Sequence, residues 1–185
     1  MKTTHYLAKV VQELSQTIDF ISDDQAEELV NQILESKKVF VAGAGRSGLM
    51  GKSFAMRMMH MGIDAYVVGE TVTVNLEKDD LLIIGSGSGE TKTLIAIAEK
   101  AKSLGGKIVA ITISPESTIG KLADIIVKLP GVTKDQSSGD YKSIQPMGSL
   151  FEQTMLLFYD SVILRFMEKK GIDSNKMYGK HANLE

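Results

Sequence analysis

Tyr6, Val10, Leu14 and Ile18 recur every fourth position, the spacing that lays one apolar stripe along a helix. A second helix follows, with Ser22 and Gln25 at the spacing of a capping box and Leu29, Val30, Ile33 and Leu34 as its stripe. Beyond these two helices the period changes. Short apolar runs at Val39–Ala42, Ala65–Val68, Leu81–Ile84, Ile108–Ile113 and Ile125–Leu129 read as strands, without the polar alternation of a sheet wetted on one face. Helical patterns at Ser47–Met61, Glu90–Leu104 and Glu116–Ala123 fall among them. This alternation predicts right-handed crossovers and an α/β fold: a doubly wound, five-stranded, mostly parallel sheet flanked by helices.

Two stretches stand outside that rhythm. Pro130–Pro146 is a polar connection of about 17 residues carrying Gly131, Ser137, Ser138 and Gly139, longer than an ordinary loop and therefore mobile or functional. The last long helix, about Ser149–Lys169, is apolar nearly all round, from Leu150 and Phe151 to Phe166 and Met167. A helix without a wet face is buried in a core or in a subunit interface. Met56, Met58, Met59 and Met61 on the helix over Ser47–Met61 fit either origin, since methionine also fills gaps in a core.

Length and charge narrow the picture. A chain of 185 residues suits one domain, here read as 1–185 with N-terminal helices over about 1–37 and a tail over about 171–185. A net charge of -2 with both signs interspersed leaves no electrostatic footprint for nucleic acid or an anionic membrane. No apolar run reaches the roughly 18 residues of a membrane span, and the start of the chain lacks the apolar stretch of a signal peptide. The expected location is the cytoplasm. The chain has no cysteine, which removes disulfides and thiolate metal sites, and His5, His60 and His181 are too scattered to predict a metal cluster by spacing.

The candidate chemistry lies in two glycine loops. Leu81–Ile84 ends in Gly85-Ser86-Gly87-Ser88-Gly89-Glu90-Thr91, a buried strand feeding a helix through a turn rich in hydroxyls. A helix start offers unpaired N–H groups and the positive end of a dipole, and Ser86, Ser88 and Thr91 add hydroxyl donors. The chemistry fits one phosphate group on a small molecule. The earlier loop, Gly43-Ala44-Gly45-Arg46-Ser47-Gly48, matches G-x-G-x-x-G, and Glu70 follows Gly48 by about 22 residues, close to the ribose-binding acid of a dinucleotide fold. Arg46 and Ser47 place side-chain donors in a turn that ordinarily works through its backbone, and dinucleotide binding has no use for a second, hydroxyl-rich loop. Both loops end strands of a parallel sheet, where ligands of such sheets bind.

On Val39–Ser53 and Leu81–Thr93 within this β-α framework, the chain resembles a sugar isomerase (SIS) domain. The likeness extends through Ser53-Phe54-Ala55-Met56-Arg57-Met58-Met59-His60-Met61-Gly62, Val68-Gly69-Glu70-Thr71, Pro146-Met147-Gly148-Ser149-Leu150-Phe151-Glu152 and Lys180-His181-Ala182-Asn183-Leu184-Glu185. Within that family these motifs are similar to those of enzymes that move the carbonyl of a phosphorylated hexulose between C3 and C2. The resemblance implies an isomerase working through a cis-enediol(ate), without cofactor or metal, on a sugar phosphate. It also implies a homo-oligomer, a tetramer. Another phosphosugar isomerase, or a non-catalytic module that senses a sugar phosphate, would share the fold.

By the same resemblance Ser47, Ser86, Ser88 and Thr91 hold the phosphate, with Gly45 and Arg46 beside them. Glu152 is the expected base, although Ser149-x-x-Glu152 also has the form of a capping box. His181 is the expected acid and proton shuttle, with reach into a neighbouring subunit. His60 and Glu70 are the reserve catalytic residues, His60 reading more readily as a packed residue and Arg57 as half of an ion pair. Glu90 lies close to the anion, and its side chain is expected to turn away from it.

Overall fold

The computed structural model describes residues 2–132, 142–181 and 183. Most of the Pro130–Pro146 connection, including Ser137, Ser138 and Gly139, and Ala182, Leu184 and Glu185 of the tail motif lie outside them. The chain opens with α1 (Thr3–Thr17), a single 3-10 turn (Ile18–Phe20) and α2 (Asp23–Glu35). The α/β unit follows: β1 (Lys38–Gly43), α3 (Gly45–His60), β2 (Asp64–Val67), β3 (Leu81–Gly85), α4 (Lys92–Ser103), β4 (Lys107–Thr112), α5 (Thr118–Leu122) and β5 (Ile125–Lys128). The long α6 (Ser149–Lys170) and the short α7 (Ser174–Tyr178) complete it.

All four strand pairings are parallel and the order is β2-β1-β3-β4-β5, so the chain reverses direction across the sheet between β1 and β3. Gly43 pairs in register with Gly85, which sets the two glycine loops side by side at that reversal. This is where a doubly wound sheet opens a crevice.

The expected burial on both faces holds for the central strands. Val39, Val41, Leu81, Ile83, Val109 and Ile111 point to one face, against Phe54 and Met58 of α3 and Met155 and Tyr159 of α6. Phe40, Ala42, Leu82, Ile84, Ile108 and Ala110 point to the other, against Leu94 and Ala98 of α4 and Ile119 of α5. β2 departs from the expectation, because an edge strand has a partner on one side only; its four residues are exposed or half-buried.

The capping box at α2 forms by half. The Ser22 hydroxyl accepts from the Gln25 N–H at 3.4 Å, but the Gln25 side chain turns away and accepts from the Lys128 N–H at the end of β5. α6 is apolar nearly all round, as the pattern implies, but it is not buried on every side: Met155, Tyr159 and Phe166 are buried, whereas Leu157 and Leu164 are exposed.

An acidic residue of α2 ties that helix to α6. The Glu27 carboxylate takes hydrogen bonds from Arg165 and Lys169, which hold its pKa down to about 2 from 4.5. A carboxyl depressed by folding stabilises the native state above its unfolded pKa and loses that contribution as pH falls through its folded one. Between pH 4.5 and 2 the wild type is therefore expected to lose more of its thermal midpoint than Glu27→Gln, read by circular dichroism at each pH.

Candidate active site

Gly43 and Gly48 fix the first wall of the site. A Cβ on Gly43 would stand 2.8 Å from the Gly48 Cα, and one on Gly48 would stand 2.7 Å from the Gly43 carbonyl oxygen. Only hydrogens there allow the end of β1 to press against the first turn of α3. That contact starts α3 at Gly45, ahead of the expected Ser47, and brings Ser47 to the cavity edge.

The cavity, of about 590 Å³, lies over the carboxyl ends of β1, β3 and β4. Ala44, Thr91, Ser117 and Gly148 line it, and they are the N-cap residues of α3, α4, α5 and α6. Four helix N-termini therefore aim at one space. Ala44, Thr91 and Gly148 make no side-chain capping hydrogen bond, so those three helices lack the usual local acceptor for their first N–H groups. This is a field built for an anion.

The second loop supplies hydroxyls. Ser86 Oγ accepts from the Gly89 N–H and Ser88 Oγ from the Glu90 N–H, each at 3.2 Å. Each of these bonds occupies the oxygen and leaves the hydroxyl hydrogen to donate. Glu90 turns towards α5: its carboxylate accepts from the Thr118 N–H at 2.7 Å and the Thr118 hydroxyl at 2.8 Å. Those bonds, the backbone one foremost, hold its carboxyl below the ordinary range. Glu90 and the glycine before it are not helical, which is why α4 begins at Lys92 and not at the expected Glu90.

Glu152, in the first turn of α6, lines the same cavity. It is 6% exposed, and the Arg46 guanidinium lies 3.1 Å from its Oε2. The same Arg46 nitrogen donates to Ser149 Oγ at 2.9 Å. The capping-box reading of Ser149 and Glu152 is thus corrected: Gly148 is the N-cap, and both side chains engage Arg46 from over one hundred positions away. A cation in the first turn of a helix is unfavourable by itself, and the Glu152 carboxylate offsets it.

The remaining sequence candidates lie elsewhere. Gly45 and Arg46 are not among the lining residues, although Arg46 reaches Glu152. Glu70 is exposed, pairs with Lys52 and does not line the cavity. His60, the last residue of α3, is buried and stacks on His181, ring centres 5.1 Å apart. Ser47 and His60 sit at opposite ends of α3, roughly 20 Å apart along its axis. Within one chain His181 is therefore remote from Glu152, because it docks at the far end of α3. Arg57 Nη1 lies 3.5 Å from His60 Nδ1, with no carboxylate partner of its own among the described residues.

Ser114 and Ser117 line the cavity and were not singled out by the motifs. They follow β4, so the rule that ligands bind at strand carboxyl ends was the signal available for finding them.

A parallel α/β sheet whose strand ends carry an anion cradle and a buried carboxylate in one cavity defines a class in which the comparisons place the chain. The SIS domain family matches residues 32–157, and the chain belongs to that family. It is 62% identical over 185 residues, covering 100% of both chains, to the 3-hexulose-6-phosphate isomerase of Bacillus subtilis (strain 168). The Mycobacterium gastri 3-hexulose-6-phosphate isomerase is 38% identical over 182 residues, 98% of this chain and 91% of that one. Among solved structures, a Methanococcus jannaschii protein with an inferred function of 3-hexulose-6-phosphate isomerase superposes with a TM-score of 0.85 at 35% identity. That match covers 98% of this chain and 99% of the other.

Proposed function

We propose that this chain interconverts 3-hexulose 6-phosphate and fructose 6-phosphate, the isomerisation step of the ribulose monophosphate route of formaldehyde fixation. The observation that carries the reading is the cavity itself. Four helix N-termini and a hydroxyl-lined loop suit the phosphate, and a buried carboxylate lines the same cavity. The full-length similarity to relatives of that name supports the choice of sugar.

Moving a carbonyl from C3 to C2 is an internal redox change and requires no external hydride acceptor. A base takes the C2 proton, a cis-enediolate forms, and a proton is delivered to C3. Glu152 is the base. As Glu152 becomes neutral, the negative charge moves to the enediolate oxygen, and Arg46 is placed to follow it. Arg46 then stabilises the transition state more than the ground state, the condition for faster chemistry.

With the carbonyl at C3 and O6 esterified, the hexulose has no hydroxyl able to close a five- or six-membered ring. It enters in open form, so Ser86, Ser88 and Thr91 need only grip the phosphate and hold the chain extended towards Glu152.

His181 acts as acid and hydroxyl-proton shuttle for a neighbouring subunit's cavity, since in its own chain it stacks on His60. That role needs a homo-oligomer, and a cytoplasmic tetramer is the assembly we favour. The exposed Met56, Leu157 and Leu164, at 49%, 52% and 65%, supply apolar surface for such contacts. Hexulose phosphate generated from formaldehyde and ribulose 5-phosphate tests the activity, with fructose 6-phosphate read through a coupled dehydrogenase. Steady production of fructose 6-phosphate is expected; binding without turnover would overturn the reading.

A further inference from the structure

The N-terminal helix reaches the catalytic wall through one side chain. Glu13, half-buried on α1, receives three hydrogen bonds from the segment that leads into α6. The Ser143 hydroxyl donates to Oε2 at 2.7 Å, the Ile144 N–H to Oε1 at 2.7 Å and the Gln145 amide to Oε2 at 3.0 Å. Gln145 is itself buried, and its backbone N–H donates to Ser143 Oγ at 3.0 Å, which closes the cluster. Both carboxylate oxygens are occupied, and such charge-assisted bonds are about twice as strong as neutral ones.

What this cluster holds is a strained turn. Two residues beyond Gln145, Met147 takes φ 56, the left-handed region that is strained for a residue with a Cβ. Its side chain is 58% exposed, so packing of the side chain does not fix that conformation. Next come Gly148, which lines the cavity, and Ser149 and Glu152, which meet Arg46. The turn is pinned on one side by Glu13 and on the other by Arg46.

Resting on the reading of Glu152 as the base, we infer that Glu13 is a positioning residue for the reaction: by clamping residues 143–145 it sets the start of α6 and aims the Glu152 carboxylate at the substrate. Glu13 lies outside the family-matched residues 32–157, so α1 contributes to the site from beyond the shared core. A displacement of about 1 Å at a reacting group can cost a hundredfold in rate. The hydroxyls of the phosphate grip and three of its four helix N-termini lie on segments that follow β1, β3 and β4, which Glu13 does not touch.

The test compares Glu13→Ala, Glu13→Gln and Gln145→Ala in the isomerase assay, with thermal midpoints measured alongside. Glu13→Ala is expected to lower kcat by ten- to a hundredfold while KM for the sugar phosphate moves less than about threefold. Glu13→Gln keeps an amide oxygen for the Ile144 N–H and is expected to recover much of the loss. Gln145→Ala removes a donor from the other side and is expected to reproduce part of it, which keeps the inference testable should Glu13→Ala fold poorly. A kcat within twofold of wild type in folded Glu13→Ala, or a loss appearing in KM alone, overturns the inference. If Glu152→Gln is inactive in the same series, that result refutes Glu13 alone; if Glu152→Gln is active, the base assignment falls first.

Discussion

Replacing Glu152 with glutamine is expected to lower kcat by roughly a thousandfold, within the range that a positioned general base contributes. The substitution keeps the shape and leaves Ser149 and Arg46 in place. Arg46 loses its carboxylate partner, but nearly half of its side chain is in water, so the uncompensated cation is solvated and the fold survives. Affinity for fructose 6-phosphate, measured by calorimetry, is expected to stay within a few-fold of wild type, because the helix N-termini and serines are unchanged. Turnover within tenfold of wild type would remove Glu152 as the base. An equal fall in rate and affinity would make it a binding residue instead.

Gly89→Ala carries the second large effect, this time on binding. Gly89 holds φ 63, and a Cβ there would stand 1.9 Å from Ser117 Oγ and 2.5 Å from Ser117 Cβ. The neighbour cannot yield easily, since Ser117 caps α5 through the Gly120 N–H and the Gly89 carbonyl accepts from the Ile119 N–H. Left-handed strain and overpacking together are expected to cost on the order of 2 kcal/mol or more. KM for the sugar phosphate is expected to rise at least about tenfold as the Ser86–Thr91 turn opens. Gly62→Ala separates the two causes, because Gly62 has φ 81 with nothing near the new Cβ. It carries the backbone cost without the clash, and its KM is expected to match wild type.

The fold was legible because the central strands are buried on both faces and so read as unbroken apolar runs, as at Leu81–Ile84 and Ile108–Ile113. β2 was harder to bound, since an edge strand has weaker demands on its residues. The two glycine loops could be read as an anion site from local chemistry alone: a turn of serines before a helix means the same thing in any setting. Glu152 could not. Its local pattern spelled a helix cap; only the family resemblance marked it as the base, and no rule of nearby spacing connects it to its partner Arg46. Glu13 stayed hidden for the same reason, since its partners lie about 130 residues away in sequence. His181 illustrates a different limit: its stacking on His60 places it within one chain, and the role proposed for it in a second chain depends on an assembly that one chain does not display.

The central claim is that Glu152 enolises the sugar between C2 and C3 while the serine loop holds the phosphate. The most direct measurement is the proton spectrum of fructose 6-phosphate incubated with the enzyme in deuterium oxide. Loss of the C3 proton, with both C1 protons retained, is the expected result, and Glu152→Gln should abolish the exchange. Exchange at C1, or retention of every carbon-bound proton with the ligand bound and no hexulose phosphate formed, would contradict the claim.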